Sequence, residues 1–373
     1  MTPKEYQPIF PRQRPVNRIP GEYPRRREIA IGSVVIGGDN AVAIQSMTNT
    51  DTKDAEATVA QIRRLQEVGC ELVRVAVPDQ ASAEALPAIK QAISIPLIAD
   101  VHFNPELALA ALEAGVDKLR LNPGNISTRE RLEPIARELA RRGTPVRVGA
   151  NSGSIANDLK QLNRENPVAA IVESVQRYAG MLREFGVQDI VVALKSSDVP
   201  TTIESYRRFA AESDLPLHLG ITEAGFGICG SARSAAGIAL LLAEGLRDTV
   251  RVSLAGDPVD EVVACREILA SLGLREAPRL IVCPSCARAE FDVLRLAEEV
   301  WPRVQSLRTP LTVAIMGCLV NGPGEAEHAD LGLVGIAGSF VLYKRGRVVA
   351  KNLQRDRAVA SLLEGITQME ASR

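Results

Sequence analysis

Aromatic residues are scarce in this 373-residue chain: one Trp, five Tyr and seven Phe make up 3% of it. Its cores must be built from Ala, Val, Leu and Ile, and platforms that stack the bases of single-stranded nucleic acid are not expected. Net charge is lacking too. Forty-four basic residues face 45 acidic ones, for a formal charge of -1. That balance argues against a general nucleic-acid or membrane-surface binder and leaves room only for a local basic pocket. No apolar run is long enough to span a bilayer. The opening Met1-Thr2-Pro3-Lys4-Glu5 has no hydrophobic signal core. The expected compartment is the cytoplasm. There, Cys70, Cys229, Cys265, Cys283, Cys286 and Cys318 read as thiols, metal ligands or catalytic groups rather than structural disulfides.

What is present is an apolar fraction of 46% and enough length for two or three domains at about 150 residues each. Residues 1–30, rich in Arg and Pro, read as a solvated arm. From residue 42 a rhythm begins in which short β-branched runs alternate with stretches of helical periodicity. Strands are expected at 42–48, 71–78, 96–102, 118–123, 145–151, 189–196, 216–223 and 249–255. Helical stretches include 55–68, 105–114, 129–142, 167–185 and 231–246, with 258–272 after the eighth strand. Alternation of this kind predicts parallel β/α units. Eight of them fit a (β/α)8 TIM barrel over 31–273 better than an open doubly wound sheet. Residues 274–278 read as a linker. Strand-like runs at 279–283, 311–316, 331–335 and 340–350, with helices at 287–300 and 355–369, predict a small second α/β domain over 279–373.

Four barrel strands repeat one local pattern, an arginine between two branched apolar residues. They are Val73-Arg74-Val75, Leu119-Arg120-Leu121, Val146-Arg147-Val148 and Val250-Arg251-Val252. Side chains alternate across a strand, so if Val and Leu pack outward under helices, each Arg points into the barrel. A buried guanidinium without an anion is very costly. These four and Lys195 face two expected carboxylates, Asp100 and Glu223, so internal ion pairing leaves positive charge over. Arginine binds phosphate oxygens in fork geometry, and several on different strands point to a small molecule with more than one phosphate.

The expected strand ends support that reading. Asn122-Pro123-Gly124-Asn125 and Gly149-Ala150-Asn151-Ser152-Gly153-Ser154 are loops of the kind that carry substrate chemistry in barrels. Glu223 reads as a general acid or an arginine partner, His102 as a secondary candidate, and His218 as a packed core residue. Gly225-Phe226-Gly227-Ile228-Cys229-Gly230 matches a dinucleotide fingerprint, but it sits in the seventh unit and no acid ends the next strand.

In the second domain Cys283-Pro284-Ser285-Cys286 follows one strand and Cys318 another. Three thiols on two strand-to-helix turns can converge on a metal. Zinc would want a fourth ligand, for which His328 is a candidate. An iron–sulfur cluster accepts three thiolates and one unusual ligand, for which Glu325 is a candidate. A redox dithiol and plain packing cysteines stay open.

Together these motifs resemble the bacterial 4-hydroxy-3-methylbut-2-enyl diphosphate synthase family of iron–sulfur enzymes. The resemblance runs from about residue 28 to the end. It is carried by Gln45-Ser46-Met47-Thr48-Asn49-Thr50, Asn122–Asn125, Leu217-His218-Leu219-Gly220-Ile221-Thr222-Glu223-Ala224-Gly225, Cys283–Cys286 and Gly317-Cys318-Leu319-Val320-Asn321-Gly322-Pro323-Gly324-Glu325.

The resemblance implies an N-terminal TIM barrel and a C-terminal domain with a [4Fe-4S] cluster on Cys283, Cys286, Cys318 and Glu325. It implies reductive ring opening of 2-C-methyl-D-erythritol 2,4-cyclodiphosphate. Substrate contacts then fall on Arg74, Arg120, Arg147, Asn151, Lys195, Thr222, Arg251 and Ser253, with Glu223 supplying or relaying a proton. A carboxylate ligand is harder and more labile than thiolate, so Glu325 can leave one iron open to a substrate oxygen. With no nucleotide site of its own, the chain is expected to draw electrons from a ferredoxin or flavodoxin. The short linker excludes the extra domain of plant-type members and implies a head-to-tail homodimer, one chain's cluster domain capping the other's barrel. The loop after Gly225, with Phe226 and Cys229, departs from the family's glycine-rich form. The rival expectation is a zinc-stabilised phosphate-binding barrel without redox chemistry.

Overall fold

A computed structural model describes residues 23–126, 128–307 and 309–372. Residues 1–22 of the expected arm lie outside the described residues. The chain forms two compact parts that divide between Leu272 and Gly273.

Residues 23–30 depart from the arm reading. Arg26 is buried, and its guanidinium donates to the carbonyl oxygens of Ser213 and Ala210. Arg27 forks onto the carboxylate of Asp214 at 2.8 Å, and the Tyr23 hydroxyl donates to Glu244 at 3.1 Å. The chain then forms a hairpin, β1 (Ile29–Ile31) against β2 (Val34–Ile36). Ile29, Ile31 and Ile36 pack in one cluster with Ala43, Leu72, Ile98 and Val191. Those partners are the first or second residues of their strands, so the hairpin is an apolar plug at the N-terminal end of the barrel. A tube lined with charge needs such a seal against water. Strands of three residues are too short to announce themselves by periodicity.

The barrel strands are β3 (Ala43–Met47), β4 (Leu72–Val77), β5 (Leu97–Val101), β6 (Lys118–Leu121), β7 (Val146–Asn151), β8 (Ile190–Lys195), β9 (His218–Leu219) and β10 (Thr249–Val250). All pair in parallel, in the order β8-β7-β6-β5-β4-β3-β10-β9. The tube closes through a bridge between Val192 and Leu217, with Val192 N–H donating to the Pro216 carbonyl at 2.8 Å. The fold is therefore the eight-unit barrel and not the open sheet. β9 and β10 are shorter than the runs expected at 216–223 and 249–255. Past Leu219 and Val250 the chain leaves the ladder to line the mouth. The outward neighbours of the repeated arginines (Val73, Val75, Leu119, Leu121, Val146, Val148, Val250, Val252) are buried. At about 25 cal/mol per Å² of apolar area, this jacket offsets the charge held inside.

Buried Asp248, just before β10, accepts the Leu217 N–H at 2.7 Å, and burial pushes its carboxyl up to about 6. A carboxyl raised above its unfolded value of about 3.9 holds its proton more tightly in the folded state. Its contribution to stability is thus full below about pH 4 and is lost as pH rises through about 6. Asp248→Asn keeps the acceptor and loses the titration. Relative to the parent, the variant should gain about 2–3 kcal/mol between pH 4 and 7, read as diverging thermal midpoints. A pH-independent difference would show that Arg26 neutralises the carboxylate.

In the second part, β11 (Arg279–Val282), β12 (Thr312–Met316) and β13 (Leu331–Ile336) run parallel, and β14 (Ser339–Lys344) and β15 (Arg347–Leu353) complete the sheet antiparallel. The single run expected at 340–350 splits at Arg345-Gly346, both at positive φ, which is the two-residue hairpin turn matched to strand twist. Helices Val293–Gln305 and Arg355–Ala371 cover one face through Leu296, Val300, Leu362 and Ile366. The short helix Gly322–His328 lies on the other through Ala326. It packs that closely because Gly332 offers no side chain: a Cβ there would sit 2.5 Å from that of Ala326. No helix among the described residues is long and apolar enough to cross a membrane.

Candidate active site

The period of two holds along every barrel strand and puts Arg74, Arg120, Arg147, Lys195 and Arg251 inside. These five line one cavity together with Asn151, Thr222, Ser253, Gly149 and Ala193. The structure thus brings together all eight residues expected to contact a substrate in the barrel. Gly220 makes the packing possible: a Cβ there would lie 2.6 Å from Lys195 Nζ and 2.5 Å from the Arg251 carbonyl oxygen.

Two buried carboxylates hold three of the arginines. Asp100 accepts from Arg120 Nη1 at 2.9 Å and lies 3.4 Å from Arg74 Nε. The two guanidinium groups hold its carboxyl well below the usual carboxylate range, against the opposing effect of burial. Glu261, on the helix Pro258–Ser271, takes Arg251 at both Nε and Nη2, each at 3.2 Å. Arg251's counter-charge is thus Glu261, which was not among the carboxylates expected from the sequence, while Glu223 is exposed at the mouth. Met47 Sδ accepts weakly from Arg74 at 2.8 Å.

Among the described residues, no carboxylate pairs with Arg147. It is buried, its Nε and Nη1 make no hydrogen bond, and burial with Arg74 and Arg120 nearby pushes it well below the usual arginine range. Lys195 is pushed down by burial and by Arg147. Sequence reasoning missed a sixth inward cation, Lys118, which is fully buried with its Nζ 3.5 Å from Gln45 Oε1. Its place two residues before Arg120 on the same strand was the available signal. The imidazole of buried His218 bonds Thr249 Oγ1 at 2.7 Å, and burial and these cations push its pKa well below the usual histidine value. The lumen therefore carries positive charge that its own carboxylates do not balance, facing a cavity.

The mouth is built by loops that brace each other. Asn122 Oδ1 accepts the Gly124 N–H at 2.9 Å, and its Nδ2 donates to Ser154 Oγ at 2.8 Å. His102 lies 2.7 Å from Arg120 Nη1, so its Nε2 accepts there. Glu223 has φ +52, a conformation that holds its side chain off the regular strand direction, and the Ala224 carbonyl beside it is fixed by Arg233 at 3.0 Å. The dinucleotide-like loop does not face this cavity, and Asp257 is spent capping the helix Pro258–Ser271 and pairing with Arg64.

The six thiols fall into different settings. Cys70 and Cys265 are buried, and burial pushes both up to about 12, which makes them inert. Cys229 is exposed on the barrel. In the second part, Cys283 follows β11 and extends its ladder to Ile315 at 2.9 Å, Cys286 is exposed on the next turn, and Cys318 follows β12. All three lie at the carboxyl ends of adjacent parallel strands, where open α/β sheets bind ligands. Glu325 stands in the first turns of the helix beyond Cys318, and His328 ends that helix about 4.5 Å further along its axis. Among the described residues, no three of His, Cys, Asp and Glu are grouped to hold a single metal ion. Three thiols and a carboxylate on neighbouring turns are, by donor chemistry, a set of the kind that iron–sulfur clusters take.

A TIM barrel whose lumen aims surplus positive charge at a cavity is followed in the chain by a thiol-bearing α/β domain. Comparison with known proteins assigns both parts to one family. The GcpE TIM-barrel domain matches residues 26–266 and the GcpE protein C-terminal domain matches residues 279–368. The chain belongs to the GcpE family. It is 47% identical over 328 residues, 88% of each chain, to the 4-hydroxy-3-methylbut-2-en-1-yl diphosphate synthase (flavodoxin) of Geobacillus kaustophilus. It is 48% identical over 341 residues to the protein of that name from Geobacter sulfurreducens, covering 91% of this chain and 97% of that one. Among solved structures, Yersinia pestis dihydropteroate synthase overlays with a TM-score of 0.46 at 14% identity, over 65% of this chain and 98% of the other.

Proposed function

We infer that this chain reduces 2-C-methyl-D-erythritol 2,4-cyclodiphosphate to (E)-4-hydroxy-3-methylbut-2-enyl diphosphate. Two electrons and two protons enter, the ring opens at a carbon–oxygen bond to phosphate, and one water leaves. The observation that carries this reading is the cation-lined cavity, whose excess charge suits a cyclic diphosphate. Arg147 and Lys195 meet phosphate oxygens that no internal carboxylate contests. Arg74, Arg120 and Arg251, already anchored by Asp100 and Glu261, supply oriented donors from the other strands. Asn151, Thr222 and Ser253 add neutral hydrogen bonds. Binding energy gathered on the phosphates holds the reacting carbon in place. Glu223, at the mouth, supplies or relays a proton to the departing oxygen.

Cys283, Cys286, Cys318 and Glu325 would hold a [4Fe-4S] cluster, which when bound would pass on the donor's electrons and offer a Lewis-acidic iron. Residues 31–273 bind the substrate, 274–278 link, and 279–373 hold the cluster. Flavodoxin, named with the relatives, is the electron donor, with a ferredoxin as the chemical equivalent. The active assembly is a head-to-tail homodimer in the cytoplasm, a reading supported by the five-residue linker. A strictly monomeric active enzyme would refute that assembly.

The test uses protein purified without oxygen. About four iron and four acid-labile sulfide per chain are expected, with turnover of the cyclic diphosphate by reduced flavodoxin. Zinc without sulfide, even after attempted reconstitution, would overturn the redox reading in favour of a phosphate-binding barrel.

A further inference from the structure

One buried group in the barrel is tied to a lumen arginine yet lies on none of the barrel strands. Glu261 sits in the first turn of the helix Pro258–Ser271 and is 4% exposed. Its carboxylate has four partners. Oε1 accepts the Leu254 N–H at 3.0 Å and Arg251 Nη2 at 3.2 Å. Oε2 accepts Arg251 Nε at 3.2 Å and the Ser46 hydroxyl at 3.2 Å. One side chain thereby ties together an arginine of the cavity, the backbone one residue past Ser253, and β3 across the seam where β10 joins it. That seam is weakly built by backbone, since β10 pairs with β3 only at Thr249 and Val250.

We propose that Glu261 is a positioning residue for substrate recognition, setting the guanidinium plane of Arg251 and the backbone that carries Ser253. The proposal rests on the reading of the lumen as the substrate site. Arginine has a long side chain with four rotatable bonds, and freezing it at the moment of binding is costly. A carboxylate that grips Nε and Nη2 leaves Nη1, which has only a weak contact to Met47 Sδ at 3.8 Å, available to an anion in the cavity, and fixes the side chain beforehand. It also neutralises the guanidinium until an anion arrives, which lowers the cost of holding a half-buried arginine in the empty barrel. The Leu254 contact fixes the adjoining backbone, so two cavity residues depend on one carboxylate.

Glu261→Gln separates the two tasks. Its amide oxygen can keep the Leu254 N–H bond, while its amide nitrogen cannot accept from Arg251 Nε. The expected result is a KM for the cyclic diphosphate raised about tenfold, with kcat within about twofold and iron content unchanged, because lost uniform binding reads out in KM. A double-mutant cycle with Arg251→Lys supplies the readout that a structural role would not move. If Glu261 acts through Arg251, the Gln substitution adds little in the Lys background. Equal and additive effects in both backgrounds, or a fall in thermal midpoint with KM unchanged, would overturn the proposal. Ser46→Ala, which removes another partner of the same carboxylate, should raise KM in the same direction by a smaller factor. Should Arg251→Lys itself leave substrate binding untouched, the lumen reading fails. Should it weaken binding while Glu261→Gln does not, only the positioning role fails.

Discussion

Arg147→Met is expected to make the protein more stable and a far poorer binder of diphosphate. The guanidinium is buried with Nε and Nη1 unbonded, among cations, with Asp100 near enough to be felt but engaged by Arg74 and Arg120. A charge-assisted hydrogen bond to an anion contributes about 1.5–3 kcal/mol. Losing two such bonds should raise the dissociation constant of the cyclic diphosphate about 100-fold or more. In the empty barrel the same group is a liability, because taking a charge out of water without a partner costs several kcal/mol. Methionine fills comparable volume without charge, so the thermal midpoint of the ligand-free variant should rise, at about 2–4 °C per kcal/mol gained. Calorimetric titration and a melting curve on the same preparations check both. A lower midpoint with unchanged affinity would assign Arg147 to the scaffold. The expected trade of stability against function is the usual signature of a site held ready for a ligand.

The second large effect concerns the thiols. Cys318→Ser is expected to lose most of its bound iron and sulfide and to cut turnover by well over about 100-fold, since even partners outside the ligand shell are worth about 10–100-fold in metal affinity or activity. Serine lacks a thiolate at neutral pH, which is the form that binds iron. The thermal midpoint of the barrel should not move, because Cys318 lies beyond the chain's division at Leu272. Cys229→Ser is the matched control: that thiol is exposed on the barrel and lies outside both candidate centres, so iron content and turnover should equal the parent's. Equal loss from both variants would point to general oxidation damage and sink the assignment of Cys318. Full iron in Cys318→Ser would sink it as well.

The repeated Val-Arg-Val pattern was readable because strand periodicity is exact: once the branched residues are assigned to the helix-facing side, the arginines have only the lumen left. Strand count and parallel order follow from the alternation of strands with helices, and the grouping of Arg74, Arg120, Arg147, Lys195 and Arg251 around one cavity follows from that rule. The thiol cluster was readable as short-range spacing after two strands. Glu261 was not. It stands ten residues after Arg251, in the first turn of a helix, where an acidic residue is expected simply to complement the helix dipole. The strand expected over 216–223 was too long for the converse reason. Period-two extrapolation carried it past Leu219, but the ladder ends there and Glu223, at positive φ, stands exposed at the mouth.

The N-terminal hairpin and Lys118 mark the same division. The Arg-Pro composition of residues 23–30 suggested a solvated arm, yet Arg26 finds carbonyl acceptors at Ala210 and Ser213, remote in sequence, and Ile29, Ile31 and Ile36 seal the barrel base. Periodicity, turn chemistry and local spacing act over a few residues, and they suffice for the element types, the barrel, the inward face of its arginines and the thiol-bearing turns. Which carboxylate balances which cation, which cation is left without one, and what closes the bottom of the tube depend on groups brought together from distant parts of the chain. Those pairings are decided by burial, which makes every unmatched charge costly only once the tertiary structure has removed it from water.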